Sequence, residues 1–149
     1  SEEEVPAKRL REERLGVPEL QEHREAMTKT LAWGLKQKNH TLQQWRVNEK
    51  AKDFHREKPW EVAAKVTKLL IGSTLARQTP GKPNSCDLVR VPDEHIVAVS
   101  NELQEVGILK AADVPKATEQ LAKRQVNEGY DEQKFTDWMR ICSDGFKVT

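Results

Sequence analysis

The chain has 149 residues, of which 36% are hydrophobic and 33% are charged. Globular chains average about 45–50% apolar residues when glycine is included, and about 25% charged residues, so this composition allows only a small core. No uninterrupted apolar run is longer than four residues, which excludes a membrane-spanning helix of about 20 apolar residues. The two cysteines form no disulfide framework, and we expect both to be free thiols, with a single Cys86–Cys142 bridge as the alternative.

The net charge of +1 hides an uneven distribution of charge along the chain. Residues 1–28 carry a net charge of −3, residues 29–92 carry +8 and residues 93–149 carry −4. A basic block between two acidic ones favours contact with a polyanion or an acidic protein surface through the middle of the chain. A solvated helix face would give the same pattern, so both interpretations stay open.

The first part of the chain is predicted to be an arm followed by a long helix. Residues 1–17 carry no sustained apolar stripe and read as an N-terminal arm or linker. From Pro18 the apolar residues recur at gaps of 3, 4 and 7, which predicts one long amphipathic helix or helix pair over about 18–57. Residues 39–41 are a candidate break in this helix.

A second helix is predicted over about 60–77, because Pro59 ends the preceding helix and can open the next one. The helical region 18–78 with its basic face is then followed by a Pro- and Gly-containing loop at 79–92. Residues 93–149 read as a small C-terminal cluster of three short helices, with Gly107 and Gly129 ending two of them. The sequence therefore predicts an all-α fold.

The search for chemical motifs assigns no catalytic residue, no cofactor site and no metal site. The four histidines are scattered, no HExxH or ExxH motif occurs, and the seven glycines are isolated from one another. An enzyme with dispersed catalytic residues stays as an alternative, with His55 and Cys86 as its first candidates.

The basic segment 36–58 is the strongest candidate for contact with RNA, since lysines can neutralise phosphates and aromatic rings can stack on unpaired bases. Trp33 points off the apolar stripe and is the predicted exposed anchor, whereas Trp45 fits the stripe. Acidic neighbours at helical spacing dilute this basic face. The candidate contacts with RNA or a protein partner are Trp33, Lys36, Lys38, Arg46, Lys50, Lys52, Arg56 and Lys58.

These observations support three hypotheses of function. The first is a non-enzymatic helical subunit of a multi-subunit assembly, such as an organellar ribosome, because narrow apolar stripes gain stability by lying on partner proteins. The second is an RNA-binding or RNA–protein-bridging module that uses residues 36–58, and the third is an enzyme. DNA recognition is not expected, because the one helix-turn-helix-like region, 99–126, has too long a turn and is acidic.

The expected compartment is intracellular. A chain that starts with Ser, has a basic centre and has few cysteines fits a protein of a mitochondrion or another organelle, with the cytoplasm as the alternative.

Overall fold

The computed structural model describes the backbone of residues 23–147 and the side chains of residues 23–143. The predicted arm at 1–17 and the helix start at Pro18 lie outside this range. Within it the chain is mainly helical, as predicted, and no helix in it is long and apolar enough to cross a membrane. The helices are α1 Arg24–Leu35, α2 Gln44–Ala51, α3 Pro59–Gly72, α4 Asp93–Val106, α5 Val114–Lys123 and α6 Glu132–Lys147.

A small antiparallel sheet corrects the prediction of a purely helical fold. Its strands are β1 Thr41–Gln43, β2 Ala76–Gln78 and β3 Ser85–Leu88, arranged in the order β1-β3-β2. Every residue of β3 is buried, and this strand lies inside the predicted loop 79–92. Polar and apolar residues do alternate in β3, but over four residues only. Backbone pairing with strands on both of its sides therefore fixes its extended conformation.

Of the two alternatives for residues 18–57, one long helix or a helix pair, the continuous helix is wrong, because the chain leaves the helix after Leu35, close to the candidate break at 39–41. It turns through residues 36–40, extends as β1 and starts a new helix at Gln44. The carbonyl groups of Leu35, the last residue of α1, and of Gln37 and Asn39 in the following turn accept hydrogen bonds from the Arg124 side chain, which supplies the donors that a continuous helix would provide. The second helix is also shorter than predicted, since β2 begins at Ala76.

One hydrophobic core contains residues of the helices that precede β3 in the chain and of those that follow it. Its fully buried side chains include Leu31 of α1, Leu70 of α3 and Leu103 of α4. Pro59 begins α3, and Gly107 ends α4 with φ = 97°, a left-handed conformation that favours glycine. Helices α4, α5 and α6 occupy the region of the predicted C-terminal cluster, and the 3₁₀ turn Ala111–Asp113 precedes α5.

Candidate nucleic-acid interface

The main candidate site is an open cavity of 320 Å³ between α1, α2 and the turn that follows α4. We call it the lysine cleft. Its size lies at the lower end of the range of about 300–1,000 Å³ for ligand pockets. The lining residues are Thr28, Lys29, Ala32, Trp33, Lys36, Lys50, Phe54, Ile108, Lys110 and Asp113.

Helix α1 supplies one wall of the lysine cleft. Lys29, Trp33 and Lys36 are spaced by 4 and 3 residues, so they share one side of this helix. The opposite side carries Met27 and Leu31, which are fully buried in the core. Burial of that apolar side therefore turns a half-buried indole ring and two ammonium groups toward the cleft.

The second wall repeats the combination of a lysine and an aromatic ring. Lys50 lies on α2, and Phe54 follows one turn later, just beyond the end of the helix. The Nζ atoms of Lys50 and Lys29 lie 5.4 and 5.5 Å from the centroid of the Phe54 ring. Both distances are within the range of a cation–π contact, so Phe54 holds the two ammonium groups of the facing helices near each other.

Ion pairs neutralise part of the positive charge of the lysine cleft. The Nζ atom of Lys36 lies 2.8 Å from a carboxylate oxygen of Asp113, and its hydrogen bond lowers the pKa of that carboxyl group. Lys29 and Lys50 pair with Glu25 and Asp53, at 2.9 and 3.1 Å.

The lining holds four lysines and one carboxylate. Lys110 makes no ion pair within 4 Å among the described residues, although its charge helps to lower the pKa of Glu25 and of Asp113. Such a site can bind an anion, and the Trp33 ring beside it can stack on a flat group attached to that anion.

Three of the eight predicted contact residues, Trp33, Lys36 and Lys50, meet in the lysine cleft. Lys52 does not line the cleft and pairs with Glu49 at 2.7 Å. The other four are also outside the lining: Lys38, Arg46, Arg56 and Lys58.

The structure differs from the prediction for both Trp45 and Trp33. Trp45 does not join the apolar stripe, since its side chain is 62% exposed, and Trp60 is 60% exposed. Trp33, the predicted exposed anchor, is half-buried and lines the cleft. The buried side of α2 carries Val47 and Ala51, and Trp45 lies about opposite to it on the helix.

The predicted set of contact residues did not include Lys29, Phe54 or Lys110, although Phe54 is one of the aromatic residues interleaved with the basic segment. The spacing of Lys29 from Trp33 was a usable signal, because residues four apart share a helix face. No local signal identifies Lys110, because packing of the turn after α4 against α1 and α2 brings it to the cleft.

The residues considered for catalysis do not form a reactive site. Burial raises the pKa of Cys86 to about 11, with a smaller contribution from Asp87, so its thiol is protonated at neutral pH. The His55 ring contacts the His23 ring edge-on, with the two ring centroids 4.7 Å apart. Both cysteines are free and buried, and the described residues contain no group of three side chains suited to a metal ion.

Comparison with known proteins gives no matching family model, no matching curated protein and no matching solved structure. The function is therefore inferred from the residues of the lysine cleft and their geometry.

Proposed function

We propose that this chain is a non-enzymatic RNA-binding subunit of a larger RNA–protein assembly. It holds a single-stranded RNA segment in the lysine cleft. The observation that carries the proposal is that lysines and an aromatic ring from three separate elements converge on one cavity. Basic groups that follow a sugar–phosphate backbone, next to a ring on which a base stacks, are the usual means of binding unpaired nucleic acid.

In this proposal Trp33 stacks on one unpaired base, while the lysines contact the phosphates on either side of it. Phe54 is less suited to stacking, because the ammonium groups of Lys29 and Lys50 lie near its ring. The volume of 320 Å³ matches a ligand of about the size of one nucleotide, so the neighbouring nucleotides would continue outside the cleft.

The existing ion pairs are compatible with phosphate binding. Glu25 and Asp53, the partners of Lys29 and Lys50, are exposed carboxylates. Such surface pairs contribute only about 0–1 kcal/mol, so a phosphate can replace them at small cost. The half-buried pair of Lys36 with Asp113 is better shielded from water, and we expect it to remain and to position the end of α1.

This proposal keeps the hypothesis of a structural subunit but supports it by the lysine cleft, where the sequence had suggested narrow apolar stripes. Most apolar side chains of the predicted stripes are buried against one another in the described part of the chain. The cleft is now the main support for a place in an assembly, and organellar ribosomes are the assemblies that we propose to test first. The enzyme alternative gains no support from His55 and Cys86.

The first experiment compares two neighbouring lysines. The anisotropy of a fluorescent 8-nucleotide single-stranded RNA is measured with the full chain at several salt concentrations, for Lys50→Gln and for Lys52→Gln. Both lysines pair with an acidic neighbour, but only Lys50 lines the cleft. We expect Lys50→Gln to weaken binding several-fold and to reduce the slope of log K against log salt by about 0.7.

The second variant tests stacking. We expect Trp33→Leu to weaken RNA binding about tenfold, since stacking contributes about 1–3 kcal/mol per base. Trp45→Leu removes an exposed tryptophan outside the cleft and is its control. No binding at low salt, or equal losses for Lys50→Gln and Lys52→Gln, would refute the proposal.

A further inference from the structure

A second surface of the chain is unpaired and apolar, and it does not belong to the lysine cleft. It is the outward side of α3, formed by Trp60, Ala64, Lys68 and Ile71 at gaps of 4, 4 and 3 residues. We call it the outer face. Trp60 is 60% exposed and Ile71 is 38% exposed, whereas the opposite side of α3 is buried in the core. The outer face is thus a continuous helical stripe with no partner in the described part of the chain.

Two neighbouring helices flank the outer face. On one side, the Thr67 hydroxyl donates a 3.0 Å hydrogen bond to the side-chain amide oxygen of Gln44 at the start of α2. On the other side, the Trp138 ring of α6 packs on Gly72. Trp45, next to Gln44, adds a second exposed indole on the α2 side. The outer face is thus one helix wide and lies between two other helices, a shape that is suited to binding a helix of a partner protein.

The charges at the outer face select the partner. Lys68 lies within the stripe and Lys58 precedes its first residue, and neither forms an ion pair among the described residues. The carboxylate of Glu61, on the same helix, lies 3.2 Å from the Nε2 atom of buried His23. The exposed charge within the outer face is therefore positive, and Glu57, in the preceding turn, is the nearest exposed acid in sequence.

This positive charge disfavours a second copy of the chain as the occupant. Two copies that met symmetrically through this stripe would bring like charges together. Ala64 and Ile71 are aliphatic and offer no ring for base stacking, so RNA fits the outer face less well than it fits the lysine cleft.

We propose that the outer face of α3 is a docking surface for an acidic amphipathic helix of a partner protein. Trp60 and Ile71 contact the apolar side of that helix, and Lys68 and Lys58 pair with its acidic flank. Exposed tryptophans are frequent anchors of protein interfaces. The RNA site and the protein site would then lie on different surfaces, which suits a module that bridges RNA and protein.

The test places a photo-crosslinking amino acid, benzoylphenylalanine, at position 64 of the full chain. The crosslinked segment is identified by mass spectrometry in RNase-treated extract of the source cells. Position 97 is the matched control, because Val97 is an apolar residue that is 69% exposed on α4. Circular dichroism checks that each variant folds. We expect position 64, and not position 97, to crosslink to an acidic segment with apolar residues at helical spacing.

The identified segment is then synthesised as a peptide and titrated against the chain. We expect Trp60→Ala to weaken binding at least tenfold and Lys68→Glu to weaken it severalfold, while Val97→Ala and Lys50→Gln leave it unchanged. The Lys50→Gln control separates this surface from the RNA site, so either proposal can fail alone. Crosslinks to a second copy, to lipid or to a segment without acidic residues, or no crosslink above that of position 97, would overturn the proposal.

Discussion

At the scale of single residues, one buried arginine connects distant parts of the chain. The Arg124 side chain is 4% exposed and donates hydrogen bonds to the backbone carbonyls of Leu35, Gln37 and Asn39. Burial lowers its pKa to about 10. The last carbonyl groups of a helix have no partner within that helix, so Arg124 acts as the cap of α1 from a position almost 90 residues away.

Replacing this arginine is expected to destabilise the fold. Arg124→Met keeps most of the side-chain length but leaves the carbonyl groups near the end of α1 unpaired. We expect a loss of about 2–3 kcal/mol in the free energy of unfolding, measured with urea. Arg90→Met is the control, since Arg90 lies 3.6 Å from an exposed Asp93 carboxylate and should contribute less than about 0.5 kcal/mol. Similar losses in the two variants would contradict the role of Arg124.

The half-buried pair of Asp113 with Lys36 gives a pH-dependent prediction. Because Lys36 lowers the pKa of Asp113, the pair stabilises the fold fully above the unfolded value of about 3.9, and its contribution disappears as pH falls through the lower folded value. We expect Asp113→Asn to cost about 1 kcal/mol at pH 7. The difference from the parent chain should shrink below about pH 4 in urea titrations, and a difference that does not change with pH would contradict it.

At the scale of helices and strands, local signals identified some boundaries and missed others. Pro59 and Gly107 act through their own backbone preferences, so the start of α3 and the end of α4 could be read from the sequence. The interruption between α1 and α2 was a candidate at residues 39–41, but its extended form could not be read from the sequence, because it depends on β3 and Arg124, which are distant in sequence. The lysine cleft also combines local and long-range effects. Helical spacing places Lys29 beside Trp33, whereas only packing of distant segments places Lys110 next to them.

Gly72→Ala tests the contact of α3 with α6, and Gly34→Ala is its comparison. We expect the two substitutions to change the free energy of unfolding in opposite directions. A Cβ atom added at Gly72 would lie 2.4 Å from ring atoms of Trp138, so Gly72→Ala must displace that ring. We expect it to cost about 1–3 kcal/mol. At Gly34, within α1, the nearest atom is a Leu42 methyl carbon at 3.6 Å, and Gly34→Ala should stabilise the fold by up to about 1 kcal/mol.

Urea unfolding measures both effects, and Trp138→Leu combined with Gly72→Ala shows whether the loss comes from the ring. In that background we expect Gly72→Ala to lose most of its cost. An unchanged cost would mean that Gly72 serves some other purpose at the end of α3.

At the scale of the whole molecule, the composition predicted a small core but not its continuity. Residues from α1, α3 and α4 pack into one cluster, with β3 passing through the region predicted to be a loop. Sequence spacing shows which side of a helix is apolar, whereas the choice of the facing helix follows from packing of the complete chain. The sequence therefore indicated the number and type of most helices better than their arrangement.

This continuity predicts cooperative unfolding. We expect the helical signal at 222 nm and the tryptophan fluorescence to change together in a single transition with urea. Two separate transitions would show instead that the regions 18–78 and 93–149 fold as independent units.

The position of β3 has a consequence for a chain that is cut in two. Residues 80–84 form an exposed turn between β2 and β3, and β3 pairs with a strand of the first half on each of its edges. A fragment that ends in this turn carries β1 and β2 without the strand that joins them, and the other fragment carries β3 alone. Neither fragment can complete the sheet alone. Reassembly of the two fragments would restore both the sheet and the Arg124 cap. A split reporter requires this property, because its halves must fold only when they meet.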